Sequence, residues 1–97
     1  MSQLTVVAKV VAKKESVESV KGELLKLVAP TRKEEGCIDY NLHQDNDDPA
    51  LFIFYENWES AASLEKHINS DHYRAYAKSV DGLIAEKAVH KMTRIEK

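Results

Sequence analysis

The sequence predicts an α+β domain: an antiparallel sheet whose elements run in the order β-α-β-β-α-β, with the helices on one face. Three observations predict it. Residues 4–12 are valine-rich, residues 37–45 alternate apolar with polar side chains, and residues 51–58 open on an unbroken apolar and aromatic run, each a strand pattern. Residues 17–28 carry one apolar stripe at helical spacing, and the polar turn 46–50 joins the second strand to the third as a hairpin.

Each element has its own signals. The first strand, residues 4–12, ends at Lys13-Lys14. Ser16 is placed to cap the following helix, with Glu15 and Glu18 near the positive end of its dipole. Val17, Val20, Leu24, Leu27 and Val28 recur at three- and four-residue steps and so share a face, while Lys21, Glu23 and Lys26 point away. Pro30 has no N–H for the preceding turn, so the helix ends near Ala29 or bends there and adds a turn through Glu35. Gly36, which tolerates positive φ, closes it.

In residues 37–45, Ile38, Tyr40 and Leu42 fall on one face and Asp39, Asn41 and His43 on the other. After the turn, residues 51–58 return as the third strand. Ser60 caps a short helix carrying Ala61, Leu64 and Ile68 inward; Asn69 or Ser70 restarts a second, carrying Tyr73, Tyr76, Ala77 and Val80 inward, with Gly82 near its end. Residues 86–95 read as a last strand with weaker alternation and several basic residues. No repeat or linker interrupts the chain, so residues 1–97 form a single domain.

Two strands are apolar on both faces. Leu51, Ile53 and Tyr55 oppose Phe52 and Phe54, and Val6 and Val10 oppose Val7 and Val11. Helices on one side cover only one of these faces, so the other is expected to pack on a second copy as a symmetric homodimer.

The formal charge of -2, with both signs interspersed, gives no field for wrapping nucleic acid or coating an anionic membrane. No apolar run is long enough to span a bilayer, no charged-then-apolar leader follows Met1, and the single cysteine excludes an internal disulfide. The expectation is a cytoplasmic protein with a small, nearly neutral ligand.

The polar aromatic residues crowd between Glu34 and Tyr76. His67 is placed to line a cavity between helix and sheet as an acid or base, or else to be a histidine hydrogen-bonded at a helix end. His67 and His72 are five apart across the helix break, which argues against the shared helix face of a metal-binding pair. Phe54 and Trp58 form either an aromatic wall for a flat ligand or plain core. Tyr40 either orients a ligand oxygen or caps an apolar cluster, and an inward Glu56 is functional or salt-bridged. Cys37 reads as a small buried hydrophobe, and Asp45-Asn46-Asp47-Asp48 as a solvated hairpin tip. There is no phosphate loop, dinucleotide glycine motif or Ser/His/Asp order.

Lys33-Glu34-Glu35-Gly36-Cys37 followed by Tyr40, then Tyr55-Glu56-Asn57-Trp58-Glu59-Ser60, Leu64-Glu65-Lys66-His67 and His72-Tyr73-Arg74-Ala75-Tyr76, together resemble the antibiotic biosynthesis monooxygenase family. The likeness is to its small single-domain, quinol monooxygenase-like branch. It extends to the opening Leu4-Thr5-Val6-Val7-Ala8 and so covers nearly the whole chain. Each fragment is weak alone; their joint order and spacing are specific. The resemblance implies a ferredoxin-like subunit, a dimeric α/β barrel, and oxygenation of electron-rich phenols or quinols by molecular oxygen without metal, flavin or haem. On that reading His67 is the base or orienting group, with His72 a second catalytic candidate. Tyr40, Phe54, Glu56, Trp58, Tyr73 and Tyr76 hold the substrate.

Haem-degrading relatives of this fold rely on an asparagine in the first strand and a tryptophan and histidine in the second helical region. Here the first strand has no asparagine, His67 aligns with that tryptophan, and Ala77 with that histidine. Two other classes stay open: an isomerase of a small phosphorylated signalling metabolite, which needs Arg32, Lys33 or Arg74 to clamp phosphate, and a non-catalytic dimeric binder.

Overall fold

The computed structural model describes residues 3–96. Four strands, β1 (Leu4–Ala12), β2 (Cys37–Gln44), β3 (Leu51–Trp58) and β4 (Ile84–Met92), form one sheet in the order β2-β3-β1-β4. Every neighbouring pair is antiparallel, which is the ferredoxin-like arrangement. Helices α1 (Val17–Arg32), α2 (Ala61–Ile68) and α3 (Asp71–Ser79) supply the remaining regular structure, with a 3-10 turn at Lys14–Ser16 before α1.

Period-two alternation sorts the sheet. Val6 and Val10 of β1, Tyr40 of β2, and Phe52, Phe54, Glu56 and Trp58 of β3 are buried on the helix side, where Val20, Leu24 and Leu27 of α1 and Leu64 of α2 meet them. On the other face Val7, Val11, Leu51 and Ile53 remain half-buried and Tyr55 is 44% exposed, with no described helix over them. β4 is an edge strand held only through β1, so Lys87 and Val89, opposite Val10 and Ala8, extend the helix-side face into the open.

Several local expectations change. Ser16 makes no side-chain cap; the 3-10 turn starts the helix instead. α1 passes Pro30 and stops at Arg32, its end tightened by Lys33 N–H to Pro30 O and Glu34 N–H to Thr31 O. A register shift between Cys37 and Asp39 puts Ile38 in a bulge, 44% exposed, rather than on Tyr40's face. Ala61, Ile68 and Ala77 are exposed, because the kinked pair α2–α3 presents His67, not Ile68, to the core. β4 starts earlier and ends earlier than residues 86–95, with its own irregularity at Ala85. The acidic tip matches expectation: Asp45 accepts from the N–H groups of Asp47 and Asp48.

Candidate active site

The site is assembled where α1 hands over to β2 and β3 to α2, two connections at the same end of the sheet. Gly36 has φ +91°, and a Cβ there would run into the Ser63 side chain at the start of α2. The Gly36 carbonyl also accepts from Glu59 N–H at 2.8 Å. This close approach fastens the turn carrying Glu34 against the helix carrying His67.

The break between α2 and α3 brings in the second histidine. Ser70 Oγ donates to the His67 carbonyl at 2.6 Å and accepts from Tyr73 N–H at 3.3 Å, ending one helix and capping the next. An unbroken helix would turn residues five apart to well-separated faces. The break instead lets both rings reach one oxygen: Glu34 Oε2 lies 2.8 Å from His67 Nδ1 and 2.6 Å from His72 Nε2. The five-residue spacing therefore does not keep the histidines apart.

An ionised carboxylate only accepts, so both rings donate to it. His67 consequently carries its proton on Nδ1 and leaves Nε2 with a free lone pair. Its side chain is 4% exposed, against 14% for Glu34 and 24% for His72. Burial lowers the His67 pKa below its ordinary 6.5, with Glu34 opposing that shift, which favours the neutral, proton-accepting ring.

Aromatic rings hold this imidazole in place. Its centroid is 4.9 Å from Trp58, 5.1 Å from Tyr73 and 5.4 Å from Tyr40, and Tyr40 stacks on Phe54 at 4.4 Å. Glu56, directly opposite Tyr40 in the sheet, accepts from the Trp58 indole N–H at 2.9 Å. Desolvation pushes the Glu56 carboxyl up to about 7, partly offset by that hydrogen bond. Burial also raises the phenols of Tyr40, Tyr73 and Tyr76, the last to about 12, so at neutral pH they are donors. Cys37, half-buried on the core, is likewise raised to about 11 by burial, an inert thiol.

A cavity of about 80 Å³ lies in this region. Tyr40, Phe54, Glu56, His67 and Tyr73 line it, with Ile68, Lys87 and Val89 among its other walls. Trp58 is fully buried and does not line it; it backs the His67 ring. His72 and Tyr76 are also outside the lining, the first on Glu34 and the second 5.6 Å from Tyr73. Arg32 is engaged with the Tyr40 carbonyl and Asn41, while Lys33 and Arg74 are exposed, so none of the three lines the cavity. A wider hollow of about 670 Å³ lies on the helix-free face among Thr5, Asp39, Asn41, Tyr55 and Asn57. It is larger but holds no buried acid–base group, so the chemistry points to the small cavity.

Sequence reasoning passed over Glu34 as a site residue. A usable signal existed: in this topology the turn closed by Gly36 must lie beside the start of α2. Lys87 and Val89 were missed because β4 alternates weakly.

Residues 3–79 match the family model described as antibiotic biosynthesis monooxygenase. The protein named "probable quinol monooxygenase YgiN" of Escherichia coli K12 is 32% identical, with 71% of this chain and 74% of that protein covered. Protein sll1783 of Synechocystis is 29% identical over 70% of this chain, which spans only 46% of that relative's length. Among solved structures, PA3566 from Pseudomonas aeruginosa superposes with a TM-score of 0.95 at 34% identity, covering 99% of this chain and 97% of its own.

Proposed function

The chain belongs to the antibiotic biosynthesis monooxygenase family, and from that premise we propose that it oxidises a quinol or polyphenol with molecular oxygen, without a cofactor, using His67 as base. The observation that carries this reading is the buried His67 ring whose tautomer Glu34 fixes.

The reaction needs little from the protein beyond a proton acceptor and a dry, polar-edged cavity. His67 Nε2 accepts a hydroxyl proton from the quinol, while Nδ1–H stays on Glu34, whose charge stabilises the imidazolium that forms. The resulting phenolate is electron-rich enough to reduce oxygen. Ring hydroxylation and quinol-to-quinone oxidation together supply the four electrons that convert O2 into one inserted oxygen atom and one water. Tyr40 and Tyr73, held protonated by burial, donate to the developing anion. Phe54 offers a face for the ring. Trp58 positions His67 and Glu56, and His72 positions Glu34.

Size narrows the substrate. A cavity of about 150 Å³ holds one benzene ring; here the volume is about 80 Å³. We therefore propose that one ring of the substrate enters this cavity, the rest projecting past the exposed Ile68 and Val89. We further propose a homodimer formed through the helix-free face, and a cytoplasmic location. Oxygen uptake with quinols, no cofactor being added, tests this reading; a binding-only module would hold the quinol without consuming oxygen.

A further inference from the structure

We propose that Glu34, His67 and His72 form a binding site for a divalent transition metal of the Zn2+ class, and that occupancy switches off the base. The first half stands on geometry alone; the second rests on the reading of His67 as base.

Glu34 Oε2, His67 Nδ1 and His72 Nε2 all lie within 4.8 Å of one another. They come from three separately anchored places: the turn after α1, α2 and the first turn of α3. Two imidazoles with one carboxylate suit Zn2+ and its transition-metal neighbours rather than Ca2+ or Mg2+, which prefer oxygen. His72 and Glu34 are partly open to solvent, which supplies an entry path and room for water to complete the coordination.

The contacts of 2.8 and 2.6 Å are those of hydrogen bonds. A tetrahedral site with bonds of about 2.0–2.1 Å separates its ligand atoms by about 3.3 Å, so the two contacts to Glu34 Oε2 must lengthen by about 0.5–0.7 Å, while the two ring nitrogens, within 4.8 Å of each other, settle at that same separation. His67 is locked among Trp58, Tyr40 and Tyr73, whereas His72, near the N-terminus of α3 and more exposed, can yield.

The chemical consequence follows from proton bookkeeping. The metal takes a lone pair from Oε2, from Nδ1 of His67 and from Nε2 of His72. A ring in its neutral form keeps its proton by moving it to its other nitrogen: from Nδ1 to Nε2 on His67, from Nε2 to Nδ1 on His72. A ring in that form releases no proton. Nε2 of His67 then bears hydrogen and cannot accept one from a quinol.

Zn2+ titrated into the full chain tests this, with calorimetry for affinity and ring-nitrogen NMR for the His67 tautomer. The expected results are one ion per chain and binding more than about tenfold weaker in both His72→Ala and Glu34→Gln. The His67 proton should move from Nδ1 to Nε2 and return on adding a chelator. Binding equal in the wild type and both variants would place the ion on surface histidines such as His43 or His90 and overturn the site, as would an unchanged tautomer at saturation. The tautomer is read on the wild type, so a misfolded variant cannot mask the answer. Neither readout needs turnover: Zn2+ binding with the tautomer switch, in a protein that never consumes oxygen, keeps the site and removes the oxygenase reading. Catalysed oxygen uptake indifferent to Zn2+ keeps that reading and removes the switch.

Discussion

Glu34 Oε2 accepts from Nδ1 of His67 at 2.8 Å, joining residues 33 apart in sequence. With Nδ1 donating to Glu34, Nε2 is the ring nitrogen left to accept a proton in the proposed reaction. Replacing Glu34 by Gln keeps the size but loses the charge and lets an amide N–H face the ring, favouring the wrong tautomer. A fall in kcat of about 10²-fold, with KM nearly constant, is expected from the worth of a well-placed base. Steady-state oxygen uptake measures it.

Glu56 makes stability pH-dependent in a defined direction. Burial raises its carboxyl from 4.5 to about 7. Between those values the folded chain holds a proton that the unfolded chain has released, so stability falls as pH rises from 4.5 to 7 and levels off above. The loss is of order 3 kcal/mol at most. Glu56→Gln retains an acceptor for the Trp58 indole and should raise stability at pH 8 while changing little at pH 4.5. Urea titrations at both pH values check the sign.

The glycines separate backbone strain from contact. Gly36→Ala meets both a φ of +91° and the Ser63 side chain, whereas Gly82→Ala meets a φ of +83° in open space. Gly82→Ala should cost about 1–2 kcal/mol, and Gly36→Ala more, with lost turnover because the turn carrying Glu34 shifts. Gly22→Ala, inside α1 with open space around it, should stabilise by about 0.5–1 kcal/mol. Thermal melts of the three variants order them.

Strand alternation and the α1 stripe were legible because burial acts on them with simple periods: β1 and β3 have the residues read from the pattern, and the hairpin tip is built from its own Asp side chains. Alternation also placed Tyr40, Phe54 and Glu56 on the face that lines the cavity. The kink between α2 and α3 was harder. A stripe drawn through Ala61, Leu64 and Ile68 misplaces His67, because the buried pair is Leu64 and His67. The meeting of His67 with His72 depends on how Ser70 reorients the chain, and Glu34 enters through a tertiary contact that no local period encodes.

The apolar face opposite the helices gives an assembly prediction. Val7, Val11, Leu51 and Ile53 are half-buried in one chain, a pattern expected of a covered surface. Sedimentation should give a dimer of two 11.0 kDa chains, and Ile53→Lys should shift it toward monomer. A wild type that sediments as a single chain at micromolar concentration would remove this expectation.

The central claim, a tautomer-locked His67 acting as base in cofactor-free quinol oxygenation, is tested most directly by one measurement. Oxygen uptake is followed for chelator-treated wild type and His67→Gln across a panel of quinols. Catalysed uptake by the wild type, and a loss of about 10²-fold or more in a folded variant, is predicted. No uptake by the wild type on any quinol, or equal rates in the two proteins, would contradict it.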